Sequence, residues 1–392
     1  MSRADEVYNY SRFLERELAK LQSHSLGKEN SETLLKFYRQ LTAEGLSIAR
    51  RIKYLTTLRR IASLLKKPFS KVTKDDIINF VADIEQRNYS EWTKRDYKMI
   101  LKRFYKWLRD CEEGYPPEVR WIKPRFNIRN KLQKKDLLTM EEIKMIANKA
   151  TNIRDKAFIW VYFESMRRLG EILTLRIGDV EFDELGARLL VNGKMGRDYG
   201  RIITSVPILS AWLNIHPLRD DPNAPLWVTL NSKKTHKQLS YGAINSILKD
   251  CVKRAGIKKR VWLYLIRHSR ITPASKILPH SLLCATAGWK QGSRMPAVYI
   301  HLAGEDVDEA QCILSGTAKV EKEDERLKAI ICQRCNSKNL PDSKFCNRCG
   351  MPLDFRSVVQ LDQTRAKLDR LLNRLTEDPE KLDKLLNLLE TT

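Results

Sequence analysis

Ile48, Ile52, Leu55, Leu58 and Ile61 keep the three- and four-residue spacing of a helix with one buried face. Leu18 and Leu21 belong to a charged helix before it. Leu34, Leu35, Phe37 and Tyr38 follow Ser31 in another, which stops at Glu44-Gly45. Thr73 with Lys74-Asp75-Asp76 reads as an N-cap with acid in the first turn, and Ile77, Ile78, Phe80, Val81 and Ile84 supply the apolar face. Thr93, Tyr97, Ile100, Leu101, Phe104, Tyr105 and Leu108 give a last helix. Residues 1–115 therefore predict a bundle of four or five helices.

Pro116, Pro117 and Pro124 break the pattern, so residues 116–136 read as a linker. From Arg120 to Lys135 it carries seven basic residues and no acid, a stretch that can lie along a phosphate backbone; a solvated connector is the plainer alternative. Residues 137–316 form a larger unit. It starts with a Thr139-capped helix and has an apolar stretch at Phe158–Phe163. Ala187–Val191 and Ile202–Val206 have strand character and predict a hairpin with a longish loop. Helical pattern returns at Tyr241–Ala255. The fold class expected is mainly α with a small β-sheet (α+β).

Residues 331–354 hold paired cysteines, and 355–392 carry seven acids against seven bases. Leu361, Leu368, Leu375, Leu382 and Leu389 are seven apart, as in a coiled coil. Asp378-Pro379-Glu380 resembles a cap with Pro at the first helical position, which favours two short amphipathic helices that dock on something.

Charge changes the picture. Lys plus Arg number 72 and Asp plus Glu 48, a net +24 over 392 residues. So basic a chain points to a polyanionic partner, with nucleic acid as the default. No apolar run is long enough for a membrane span, and the charged N-terminus has no secretory h-region. A cytoplasmic, nucleoid-associated protein without a membrane partner is expected. Residues 251–300 contain ten Lys or Arg and no acid, which reads as the lining of an anion site.

Of eight cysteines, Cys111, Cys251, Cys284 and Cys312 stand singly. The others form Cys332-x2-Cys335-x10-Cys346-x2-Cys349, a metal pattern rather than a disulfide framework. This run resembles a zinc ribbon. Four thiolates at this spacing suit a tetrahedral structural Zn2+ and leave no open position for catalysis. A redox pair or an iron–sulfur site is the alternative.

Four further groups carry chemistry together: Arg168 with Glu171; Lys194 in the hairpin loop; Tyr264-Leu265-Ile266-Arg267-His268; and Gly288-Trp289 with Tyr299-Ile300-His301-Leu302. Two guanidiniums can hold the non-bridging oxygens of a phosphodiester in fork geometry, a lysine can act as general acid, an indole can donate a hydrogen bond, and a phenol can form a covalent ester with DNA. Such transesterification requires no nucleotide or catalytic metal. The sequence shows no P-loop, HExxH or acidic metal cluster.

On these residues the chain resembles the tyrosine recombinase (phage integrase) family over about four fifths of its length. Gly288 to Ala310 looks most like integrases of archaeal viruses and plasmids. The resemblance implies a helical N-terminal core-binding domain (1–115), a DNA breaking-rejoining domain (137–316), a ribbon (331–354) and amphipathic C-terminal helices (355–392). Tyr299 then falls on the nucleophile. Arg168 and Arg267 fall on the two arginines, Lys194 on the hairpin lysine, and Trp289 on the Gly-His/Trp position. Glu171 and His268 support them, and His301 is structural. Tyr264 departs from the usual His and leaves the general base open. Arg167 is the alternative to Arg168, and Arg197 to Lys194. The family implies two domains clamping duplex DNA, a 3′-phosphotyrosine, a homo-tetramer on paired sites and a four-way junction, with accessory directionality factors as further partners. Integration or excision of a mobile element is the favoured role. A chromosome or plasmid dimer resolvase, a non-catalytic DNA-binding protein on the same fold and a type IB topoisomerase are the alternatives.

Overall fold

The computed structural model describes residues 3–23, 26–123, 132–193, 196–230, 236–302, 315 and 329–376. They form two compact units, Met1–Leu132 and Gln133–Thr392.

The first unit contains α1 (Arg3–Tyr8), α2 (Tyr10–Gln22), α3 (Lys28–Ala43), α4 (Ile48–Leu65), α5 (Lys74–Gln86), α6 (Glu91–Leu108) and α7 (Pro117–Arg120). The apolar stripes of the sequence meet in one core, with Leu34, Phe37, Leu41, Leu55, Leu58, Ile61, Leu101 and Phe104 all fully buried. Thr73 and Asp76 form the reciprocal cap expected at the start of α5. The linker expectation needs correction in its first half. Pro117 opens the short helix α7, and Val119 and Ile122 are buried in this same core. Residues 124–131 of the basic stretch lie outside the described residues.

The second unit opens with α8 (Met140–Asn148), where Thr139 accepts from Glu142 N and Glu142 accepts from Thr139 N at 2.8 Å. The Phe158–Phe163 stretch lies in α9 (Ile153–Ser165), which is buried on nearly all sides and packs against its neighbours as a central helix. Then come α10 (Leu169–Leu173), β1 (Val180–Asp183), β2 (Gly186–Gly193), β3 (Gly196–Ile202), α11 (Val206–Asn214), α12 (Tyr241–Arg254), α13 (Leu263–Ile277), α14 (His280–Ala287) and α15 (Met295–Leu302). The ribbon supplies β4 (Ile330–Ile331) and β5 (Lys338–Asn339), and α16 spans Phe355–Thr376. Mostly helical with small antiparallel sheets, the chain has the fold class its sequence predicts.

The hairpin differs from expectation. Its strands pair up to Gly193 opposite Gly196, so only two residues separate them, and Val206 starts a helix instead of ending a strand. The polar run Gly196–Gly200 is strand because it pairs with β2, not because it alternates. A third strand, β1, pairs Val180 with Leu189. In the tail, α16 is continuous to Thr376, while Asp378, Pro379, Leu382 and Leu389 fall outside the described residues. Among the described residues no helix is long and apolar enough to cross a membrane.

Candidate active site and metal centre

Helix α9 ends because Met166 adopts a left-handed conformation, φ 52°. The chain turns there, so that Arg167 points inward and Arg168 outward. Arg167 is 3% exposed. The Arg168 side chain is one-third exposed, and Glu171 accepts from its backbone N at 2.9 Å and its Nη1 at 2.7 Å. Glu171 thereby caps α10 and aims the guanidinium with one carboxylate. The same Glu171 faces the end of the hairpin: a Cβ on Gly193 would lie 3.2 Å from its Oε1. Lys194 follows Gly193 in the chain but lies outside the described residues, as does the Arg197 side chain.

Arg267 sits at the centre. It is 1% exposed, and its guanidinium donates to Met166 O and, at 2.9 Å, to Ala287 O. One side chain thus ties the Arg168 turn to the end of α14. Trp289 lies under it, 5.7 Å from guanidinium carbon to ring centre. Burial pushes the Arg267 pKa down, and Tyr264, Tyr162, Tyr299 and Glu171 oppose that shift.

Tyr299 packs in an apolar cluster with Met166, Ile271, Ala274, Leu283 and Ala287 and is 1% exposed. Its ring lies 5.3 Å from Trp289 and 5.5 Å from His268. Its hydroxyl is 2.8 Å from His268 Nδ1. Burial raises the phenol pKa to about 12, against the lowering charge of Arg267. Burial, then Arg267, lowers His268 to about 4. The imidazole is therefore neutral near pH 7, and its Nδ1 shares a hydrogen bond with the phenol hydroxyl. Tyr264 is more open, 41% exposed, with its ring 5.7 Å from His268. The site thus gathers Arg168, Glu171, Tyr264, Arg267, His268, Trp289 and Tyr299. The side chain of His301 lies outside the described residues.

The basic residues of the acid-free run differ in exposure and partners. Arg267 is buried, Arg270 is half-buried, and Lys259 donates to Glu142 Oε2 and Leu137 O at 2.8 Å each.

His268 makes a pH prediction. Its folded pKa lies below the unfolded value of 6.5, so between pH 6.5 and about 4 only the unfolded chain binds the proton. Folded stability is fully present above pH 6.5 and falls as pH drops through this window. Thermal melts from pH 7.5 to 4.5 will show a shallower decline for His268→Gln than for wild type.

In the ribbon, Cys332, Cys335, Cys346 and Cys349 bring their sulfurs within 4.8 Å of one another. Cys332–Cys349 and Cys335–Cys346 are each 3.6 Å apart. A tetrahedron with ~2.3 Å metal–sulfur arms has edges of roughly 3.8 Å, so the four thiolates fit a zinc ion. Gly350, at φ 71°, makes the turn after the last cysteine. The buried Asn339 accepts from Asn347 N at 2.9 Å and donates to Ser337 O at 3.0 Å, bracing both knuckles. Arg334, Lys338, Lys344 and Arg348 are exposed.

Comparison with known proteins agrees with this geometry. Residues 135–305 match the phage integrase family, 34–113 the phage integrase N-terminal SAM-like domain, and 331–353 a zinc-ribbon domain. The two integrase matches together span more than half of the chain. Tyrosine recombinase XerA of Pyrococcus horikoshii is 27% identical over 247 residues, covering 62% of this chain and 79% of the relative. A tyrosine recombinase of Thermosipho africanus is 24% identical over 273 residues, covering 64% and 88%. Among solved structures, XerH recombinase in a post-cleavage complex with its difH substrate superposes with a TM-score of 0.55 at 18% identity, covering 80% of this chain and 97% of that one. A lambda integrase dimer on a COC′ core site gives 0.56 at 14%, covering 68% and 76%. These structures share the fold. The chain belongs to the phage integrase family. It is thus a tyrosine-type site-specific recombinase, a DNA strand-transferring enzyme.

The sequence alone does not reveal Arg167's part. It spans from the hairpin to the turn before Trp289, donating to Asp198 and Tyr199 O on one side and to Ala285 O on the other. The one available signal is the doubled arginine after Met166, since a single helix end can turn only one of the two outward.

Proposed function

We propose that this recombinase cleaves duplex DNA with Tyr299 as nucleophile. The phenol oxygen attacks the scissile phosphorus, its proton leaves, and the P–O5′ bond breaks. A 3′-phosphotyrosine and a free 5′-hydroxyl result, and attack by a partner's 5′-hydroxyl reverses the step. Arg168 and Arg267 hold the non-bridging oxygens, and Lys194 protonates the leaving oxygen. Trp289 and the exposed Tyr264 hydroxyl donate to the phosphate, and Glu171 and His268 position them. His268 Nδ1, neutral and already bonded to the phenol, is the first acceptor for its proton. The observation that carries this reading is the convergence of the Arg168 turn, Trp289, His268 and Tyr299 on Arg267.

Double-stranded DNA is the substrate, and a homo-tetramer on paired sites is the working assembly, with accessory directionality factors setting the outcome. Integration or excision of a mobile element is the favoured role, because the ribbon and tail lie past the end of the integrase match at residue 305. The family match supports action on DNA in the cytoplasm, and the nucleoid is the location this reading adds. The four cysteines would hold one structural zinc that stabilises the ribbon fold, and catalysis needs no cofactor.

The test is trapping of a covalent adduct on a nicked duplex from the gene's flanking DNA, without divalent metal or ATP. Adduct plus junction product on paired sites supports recombination. Tight, selective binding without adduct overturns the catalytic reading. Metal analysis of the purified chain will find about one zinc per protomer, lost in Cys346→Ser, which will also melt earlier than wild type.

A further inference from the structure

Arg167 is a charged side chain with almost no access to water. Burying an unpaired guanidinium is costly, so its partners define what it does. Nη1 donates to Asp198 Oδ2 at 2.5 Å, and Nη2 donates to Tyr199 O and, at 3.1 Å, to Ala285 O. Asp198 and Tyr199 belong to β3, where Asp198 pairs with Val191 of β2, close to the Gly193–Gly196 end of the hairpin. Ala285 is in the last turn of α14, just before Gly288 and Trp289.

Two glycines make room for this side chain. A Cβ on Gly200 would come within 3.0 Å of Arg167 Cγ. A Cβ on Gly288, where φ is +66°, would come within 2.5 Å of Arg167 Nη1. The guanidinium therefore lies between the hairpin and the α14 turn, touching both. Its backbone neighbour, Arg168, faces the opposite way.

We infer that Arg167 is a positioning residue for cleavage: it clasps the β2–β3 hairpin against the Ala285–Gly288 turn and so sets where the hairpin presents its acid to the leaving oxygen. This rests on the assignment of that acid to Lys194, which directly follows Gly193, the last residue of β2.

The test separates acid delivery from general folding. A half-site duplex with a 5′-bridging phosphorothiolate at the scissile position breaks a P–S bond, and the thiolate leaves without a proton. Full-length Arg167→Met will form adduct on the oxygen substrate about 10²-fold more slowly than wild type. On the sulfur substrate it will come within about threefold of wild type. Asp198→Asn changes a half-exposed partner and keeps the guanidinium. It will show the same pattern in a smaller measure, which keeps the inference testable should Arg167→Met fail to fold. Arg167→Lys will recover part of the oxygen-substrate rate. Lys194→Ala, run in parallel, will also be rescued by sulfur. If Lys194→Ala is rescued and both Arg167→Met and Asp198→Asn are not, the clasp inference alone is overturned. If Lys194→Ala is not rescued, the acid assignment falls and takes this inference with it.

Discussion

Tyr299→Phe will abolish the covalent protein–DNA adduct while leaving DNA binding within a few-fold of wild type. The substitution removes the one oxygen that can form the ester and keeps a ring of the same shape in the cluster of Met166, Ile271, Ala274, Leu283 and Ala287. The lost hydrogen bond to His268 costs about 1 kcal/mol of stability. A denaturing gel of wild type and variant on a nicked duplex checks the result, and a gel shift checks binding. An adduct that persists in Tyr299→Phe would move the nucleophile elsewhere, with Tyr264, exposed beside His268, as the next phenol to change.

Arg267→Lys will slow adduct formation by at least about 10²–10³-fold, the scale for removing one aligned donor from a phosphate or oxyanion site. The positive charge survives, so electrostatics alone predicts a small effect. Geometry predicts a large one. The planar fork of Arg267 reaches Met166 O and Ala287 O together and still lies over Trp289, and an ammonium on a flexible stem cannot span both carbonyls. Single-turnover rates at saturating protein separate this from weaker binding. A loss of less than tenfold would show that Arg267 organises the fold without acting on the phosphate.

Much of this site is legible in the sequence because its parts are local. Arg168-x-x-Glu171, Tyr264 to His268, and Gly288-Trp289 are short motifs on helix ends, and the ribbon's cysteine spacing is read directly. The caps at Thr73 and Thr139 are equally local. What stays hidden depends on pairing between distant segments. The polar strand β3 exists through its ladder with β2, and the buried course of Arg167 exists through Asp198 and Ala285, 31 and 118 residues away. Val119 and Ile122 read as linker because two prolines precede them, yet the first unit's core has room for both.

The buried pose of Tyr299 bears on a hazard common to every protein that carries a DNA-cutting group. A cell tolerates such a protein only when stray nicks are rare. With its ring walled in by Trp289 and apolar neighbours, and its hydroxyl bonded to His268, Tyr299 as the proposed nucleophile would be withheld from a duplex met by chance. Under the proposed mechanism cutting would await a rearrangement that frees the ring, and the packing around Tyr299 would itself guard the genome.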